Sequence, residues 1–331
     1  MKRFLLPVLC LALAASCAQN TKAPESQDTI QKYDQPDSLA LVTISAANLR
    51  EKPDYAAEMG TQALMGTPVK VLQFPEGDYW VQVQTPDGYK AWVNEMALKR
   101  MTVEEYSAWK ASDRVIVTAY FTFFYEAPDV NSVHVSDAVK GDIVESLGIE
   151  GDFIKIRIPD GRIAYVSVSD AADFAEWTAA RPSSAETDLQ RVLETAKAMT
   201  GVPYLWGGSS LKGVDCSGLT QYVYFLSGYM LPRNASAQCK AGEPVDVSQG
   251  LGNLQAGDLV FFASKTGRIS HVALYLGEGR IIQSSQLVRT SSLVEGDPDF
   301  YPREVVQACR IIGTQDKDLN IRSILASEVY F

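Results

Sequence analysis

Between Gly77 and Val93 apolar and polar residues alternate in two short runs, "GDYWVQVQTPDGYKAWV", with a Pro-Asp-Gly turn between them. The pattern returns as "GDFIKIRIPDGRIAYV" from Gly151 to Val166, offset by 73 to 74 residues. A period of two predicts half-buried strands, and Pro, Asp and Gly supply the reversal between them. Each copy follows another short strand, "TPVKVL" in the first and "DIVESL" in the second. Short strands at this spacing predict one small barrel per copy. Two copies are too few for a solenoid. Between them "TVEEYSAWKAS" opens on Thr102 with Glu105 three residues on, the signature of a capped helix.

The period then lengthens. After the linker "ARPSSAET" at 180–187, Leu189, Val192, Leu193, Ala196 and Met199 lie on one helical face. Leu219, Tyr222, Val223 and Leu226 mark a second helix. "AGDLVFF", "SHVALYLG" and "RIIQSS" then read as strands, so helices precede an antiparallel run, an α+β unit. The expected divisions are a first barrel over 38–100, a connecting helix over 101–112, a second barrel over 113–180 and an α+β domain with a C-terminal tail over 181–331.

The first residues follow another rule. Lys2 and Arg3 precede the short apolar run "FLLPVLCLALAAS", which is an export signal and too short for a bilayer span. It ends in "AASC", which resembles a bacterial lipobox with Ala14 at the first position in place of the commoner Leu. Residues 1–17 are therefore expected to be a leader, with Cys17 lipidated as the mature N-terminus, or else an ordinary secretory signal. Residues 18–37 are polar and read as a flexible tether. The expected location is the bacterial cell envelope, with a lipid anchor in a membrane.

The chain has 331 residues, 46% hydrophobic, enough for several packed cores. Its net charge of −10 argues against a nucleic-acid partner. A monomer is expected. Of five cysteines, Cys10 leaves with the signal and Cys17 carries lipid, so Cys216, Cys239 and Cys309 remain. A Cys239–Cys309 disulfide and two free buried thiols are both open.

Cys216 stands where the turn "GVDCSG" becomes a helix, a place where unpaired amides and the helix dipole favour a thiolate. A thiolate nucleophile needs a base, and the chain has only two histidines. His134, in "NSVHVSD", falls in the second barrel and reads as structural or solvated. His271, in "ISHVALYLG", lies on a strand of the Cys216 domain, sharing a face with Ala273 and Tyr275. If "GEG" at 277–279 forms a three-residue hairpin loop, Gln283 faces Ala273, joins the face of His271 and can orient the imidazole through its amide oxygen. No metal motif appears, and no cofactor is expected.

"PYLWGGSS…DCSGL", "AGDLVFF", "SHVALYLG" and "IIQSS", in this order, resemble the NlpC-type cell-wall cysteine peptidases over roughly residues 188–313, and the two leading repeats resemble bacterial SH3-type modules. Together the chain is similar to YkfC-type γ-D-glutamyl-L-diamino acid endopeptidases. The fold class so implied is α+β: two small SH3-like barrels followed by a papain-like cysteine peptidase domain. The implied substrate is the murein stem peptide, cut between D-glutamate and the diamino acid. Position by position, the resemblance makes Cys216 the nucleophile and His271 the general base and acid. Gln283 stands where the family usually has His. Tyr204 matches the tyrosine beside the oxyanion, with the Cys216 amide as the second donor. Trp206, Asp215 and Ser217 match substrate-contacting positions. In these enzymes the first barrel closes the cleft over a free N-terminal L-alanine, which places Glu58 and Tyr89 at the ammonium. Asn234, in "LPRNAS", occupies a position usually held by Asp. An inactive wall-binding protein, an N-acetylmuramoyl-L-alanine amidase and a circularly permuted acyltransferase are the alternatives.

Overall fold

The computed structural model describes residues 39–75, 79–317 and 320–331. The leader, the tether and Cys17 lie outside the described residues. Seven strands open the described residues: β1 (Leu39–Val42), β2 (Ala46–Arg50), β3 (Met59–Leu64), β4 (Pro68–Gln73), β5 (Trp80–Gln84), β6 (Lys90–Asn94) and β7 (Leu98–Met101). They form one antiparallel sheet in the order β3-β2-β6-β5-β4-β1-β7. Alternate residues point inward, so Val69, Val71, Val81, Val83, Ala91 and Val93 pack as a closed core.

Helix α1 (Val103–Ala111) follows, and both halves of its capping box are present. The second unit runs β8 (Arg114–Val117), β9 (Phe121–Tyr125), β10 (His134–Val139), β11 (Ile143–Glu150), β12 (Phe153–Arg157), β13 (Ile163–Ser167) and β14 (Ala171–Asp173). Its sheet order, β10-β9-β13-β12-β11-β8-β14, repeats that of the first unit strand for strand. The sequence repeat is therefore a repeat of fold. His134 lies in this second unit, stacked 3.8 Å from Phe123, away from any catalytic partner.

After α2 (Phe174–Ala179), the peptidase-like domain begins at α3 (Ala185–Ala198), capped by Ser184. Helix α4 (Cys216–Leu226) buries Leu219, Tyr222, Val223 and Leu226, as the spacing predicts. It packs on a six-stranded antiparallel sheet ordered Glu243–Val245, Val305–Arg310, Leu259–Ala263, Ile269–Gly277, Arg280–Ser285 and Leu287–Ser292. Val272, Leu274, Ile282 and Phe261 face α4, whereas Ala273, Tyr275, Ile281 and Phe262 build a second core on the other side.

The units are joined through specific contacts. Gln62 of β3 exchanges hydrogen bonds with Ser209, in both directions, and receives one from Ser210 at 2.8 Å. The C-terminal segment returns to α1 and β8, where Lys110 and Arg114 donate to the carbonyls of Phe331 and Tyr330. Cys239 and Cys309 are both free thiols. Among the described residues no helix is long and apolar enough to cross a membrane.

Candidate active site

The turn before α4 is built by close backbone approach. Asp215 caps the helix, its Oδ1 accepting from the Gly218 amide at 2.7 Å while Oδ2 accepts from the Gly207 amide at 3.0 Å. A Cβ on Gly218 would stand 1.9 Å from the Gly208 carbonyl oxygen, so only glycine lets the two segments meet. Arg233 then closes the network. It donates to both oxygens of Asp215, to Ser217 Oγ at 3.0 Å and, from Nε, to Thr61 of the first barrel at 3.0 Å.

This arrangement places two residues expected at substrate-contacting positions. Asp215 and Ser217 are 8% and 5% exposed, and their polar atoms are spent on Arg233 and the helix start. Their side chains shape the nucleophile's turn. Arg233, in "LPRNAS", is only 3% exposed. A lone arginine carries no sign in sequence that its partner lies 18 residues back.

Cys216 is the first residue of α4 and is partly exposed. The amides of Val272 and Ser217 reach its sulfur and favour the thiolate, but burial, with the Asp215 charge beside it, pushes the thiol up from its ordinary value. The helix terminus alone predicts the opposite direction. Desolvation wins: the sulfur sits against the Ile269–Gly277 strand, and the Asp215 charge outweighs that of Arg233.

His271 follows from that strand, next to Val272. Its Nε2 lies 2.6 Å from Gln283 Oε1, and Gln283 Nε2 donates to Ser291 Oγ at 3.0 Å. With the Gln283 amide so held, its oxygen accepts the Nε2 proton and leaves the Nδ1 lone pair as the base. Burial lowers the His271 pKa from 6.5 to about 4, opposed by the Gln283 bond. The ring is thus neutral near neutrality. With His271 neutral and the Cys216 thiol pushed up, both groups rest uncharged, and a proton taken by the imidazole would leave the sulfur as it attacks.

Gln283 reaches this face by a different route from the one the sequence suggests. The hairpin turn is the two-residue Glu278–Gly279, both at positive φ, with Gly277 paired to Arg280. Alone, that turn would point Gln283 away. A bulge between Tyr275 and Gly277 shifts the register by one, pairs Leu274 with Ile282 and returns Gln283 to the side of His271.

Tyr204 is half-buried, and its hydroxyl is pushed up to about 12 by burial and by the nearby Cys216 and Asp215. It therefore stays protonated and can donate to an oxyanion. Of the first helical amides, that of Gly218 goes to Asp215 and that of Ser217 to the sulfur, so the Cys216 amide is the one left for the same oxygen. Trp206 is 62% exposed beside this turn, an open aromatic wall.

At the barrel side, Gly207 abuts Met59, and a Cβ there would lie 2.2 Å from the Met59 carbonyl oxygen. Next to Met59, Gly60 is covered by Glu51 and Tyr89. The Tyr89 hydroxyl donates to Glu51 Oε1, and burial together with that carboxylate raises its pKa. Glu58, expected as the acidic partner, is exposed and instead joins Glu51 through the backbone, its carbonyl accepting the Glu51 amide at 3.0 Å. The two acids end opposite sides of one loop, and only Glu51 turns toward Tyr89. Asn234 is exposed at the start of α5 (Ala235–Gln238), and its side chain makes no capping bond. No group of three or more His, Cys, Asp or Glu among the described residues is placed to hold a metal ion.

A thiol at a helix start, a neutral imidazole oriented by an amide, and a protonated tyrosine near the thiol match the groups a cysteine peptidase needs. Residues 201–306 match the NlpC/P60 family, and residues 49–98 match the bacterial dipeptidyl-peptidase Sh3 domain. The chain is 31% identical over 270 residues to the gamma-D-glutamyl-L-lysine dipeptidyl-peptidase of Bacillus cereus, covering 78% of this chain and 76% of that protein. The chain belongs to the NlpC/P60 family. It is also 27% identical over 290 residues to dipeptidyl-peptidase 6 of Lysinibacillus sphaericus, 83% of this chain and 98% of that one. The crystal structure of an NlpC/P60 family protein from Bacillus cereus superposes with a TM-score of 0.68 at 25% identity, over 83% of this chain and all of the other. This NlpC/P60 protein is a cysteine peptidase with SH3-like N-terminal units.

Proposed function

We propose that the enzyme hydrolyses the γ-D-glutamyl–diamino acid bond of murein stem peptides that carry a free N-terminal L-alanine, releasing the L-alanyl-D-glutamate dipeptide. The observation that carries this reading is the Glu51–Tyr89 pair of the first barrel, held over Gly60 where Met59 abuts the Gly207 turn. A carboxylate and a phenol oxygen side by side suit an ammonium group. The relative from Bacillus cereus is named a gamma-D-glutamyl-L-lysine dipeptidyl-peptidase, and that from Lysinibacillus sphaericus a dipeptidyl-peptidase. Cys216 attacks the γ-carbonyl, His271 takes the thiol proton and returns it to the leaving amine, and water then hydrolyses the thioester. Asn234, an amide at the exposed rim, contributes no charge to the amine site. We further propose an envelope location with the lipid anchor on Cys17, which metabolic labelling with a fatty acid tests through loss of label in Cys17→Ala. The substrate reading is tested by comparing the free tripeptide, its N-acetylated form and a sugar-linked muropeptide. Selective cleavage of the free peptide is expected, and equal rates on all three would overturn the closed-cleft reading.

A further inference from the structure

Away from the catalytic turn, the seam between the second barrel and the peptidase domain encloses a pocket of about 260 Å³ whose lining includes Tyr120, Lys140, Trp177, Arg181 and Arg191, with Glu194 at its exposed side. Three cations converge here from three parts of the chain. Lys140 Nζ stands 4.6 Å from the centre of the Tyr120 ring, and the Arg181 guanidinium 4.4 Å from that of Trp177. Arg191 is answered by Asp188 at 3.0 Å, and that carboxylate also accepts from the Ser183 amide and the Tyr229 hydroxyl. Glu194 accepts from Gln190 at 2.9 Å. Among the described residues neither Lys140 nor Arg181 has a carboxylate within ion-pair distance.

Arg181 is further incomplete. One Nη donates to the Trp177 carbonyl at 2.8 Å, but its Nε is buried and has no acceptor. An unmet buried donor on a charged group costs free energy, and so does a second cation held beside it. Both effects show. Burial and the Arg191 charge bring Arg181 down to about 10, and burial with the Arg181 charge lowers Lys140. A bound anion would give the guanidinium a negatively charged partner and neutralise the cluster at once.

We propose that this pocket binds a phosphoryl group, with the Arg181 guanidinium and Lys140 Nζ as donors and the Tyr120 and Trp177 rings as walls. Two cations without carboxylate partners favour a dianion over a singly charged carboxylate, and the guanidinium edge matches two phosphate oxygens. The volume is below that of drug-sized sites, so the group enters alone or at the end of a phosphate ester. Occupancy joins the domains, because the Lys140 carbonyl accepts from Tyr222 of α4 at 2.5 Å while Arg181 leads into α3.

The test is thermal melting and calorimetric titration of the full chain as phosphate replaces chloride at constant ionic strength. Acetate and glycerol phosphate form parallel arms. The melting temperature rises saturably with phosphate. Glycerol phosphate acting like phosphate marks an ester as an acceptable ligand, and phosphate acting alone marks the free ion. Lys140→Gln and Arg181→Gln each lose roughly tenfold or more in phosphate affinity, the loss of one charge-assisted bond, while peptide turnover persists. Should Arg181→Gln misfold by circular dichroism, Lys140→Gln decides, since its tie to Tyr222 runs through the backbone. No phosphate response beyond chloride, an equal response to acetate, or an undiminished response in Lys140→Gln would overturn the proposal.

Discussion

The protonation state of the resting site is open to direct perturbation through Gln283→Glu. In the wild type, His271 is held at about 4 against an ordinary value of 6.5, a difference worth roughly 3 kcal/mol for the 8% exposed ring. The folded value lies below the unfolded one, so this stability is fully present above pH 6.5 and is lost as pH falls toward 4. The same displacement places the acidic limb of kcat/KM near pH 4, because the base stays free of its second proton down to that pH. A glutamate carboxylate replacing the amide oxygen 2.6 Å from Nε2 favours the imidazolium and moves the limb upward, by one pH unit or more for an interaction of about 1.4 kcal/mol. The assay is kcat/KM on a free tripeptide from pH 4 to 8, with urea unfolding across the same range. A wild-type limb near pH 6.5, or an unmoved limb in Gln283→Glu, would refute the neutral-pair reasoning.

Other outcomes follow from the same geometry. Cys216→Ala abolishes turnover while leaving the unfolding midpoint nearly unchanged, and residual activity within about tenfold of wild type would remove the thiol from the mechanism. With the thiol pushed up by burial, iodoacetamide alkylation of Cys216 rises steadily from pH 6 to 9, and a plateau beginning near pH 5 would show a preformed thiolate. Gln283→Ala lowers kcat about 10-fold, the worth of one hydrogen bond of about 1.4 kcal/mol, whereas His271→Ala loses roughly 10²–10⁴-fold; equal losses would give Gln283 more than an orienting part. Arg233→Ala leaves Asp215 buried and unpaired and lowers stability by about 3–5 kcal/mol in urea unfolding, and a change below about 1 kcal/mol would contradict the network.

Much of this was legible in the chain, for identifiable reasons. The twin Pro-Asp-Gly hairpins announced two like units because strand alternation survives wherever one face is buried, and both sheets share one strand order. The Leu219, Tyr222, Val223, Leu226 spacing placed Cys216 at a helix start, and the scarcity of histidine singled out His271. What the pattern did not carry was long-range pairing. Whether Glu51 or Glu58 meets Tyr89 depends on how one loop folds, and both are acids on a polar stretch. The bulge at Tyr275–Gly277 adds one residue to a strand without altering its alternation enough to be read. The direction of the Cys216 pKa depends on how far protein surrounds the sulfur, which no local signal reports.

The central claim is that the Cys216 thiol cuts at the γ-glutamyl carbonyl, and mass spectrometry of the products from L-alanyl-γ-D-glutamyl-diamino acid tests it most directly. The account predicts L-alanyl-D-glutamate and the free diamino acid, with no cleavage by Cys216→Ala. Release of free alanine, or an intact tripeptide after prolonged incubation with the wild-type enzyme, would contradict it.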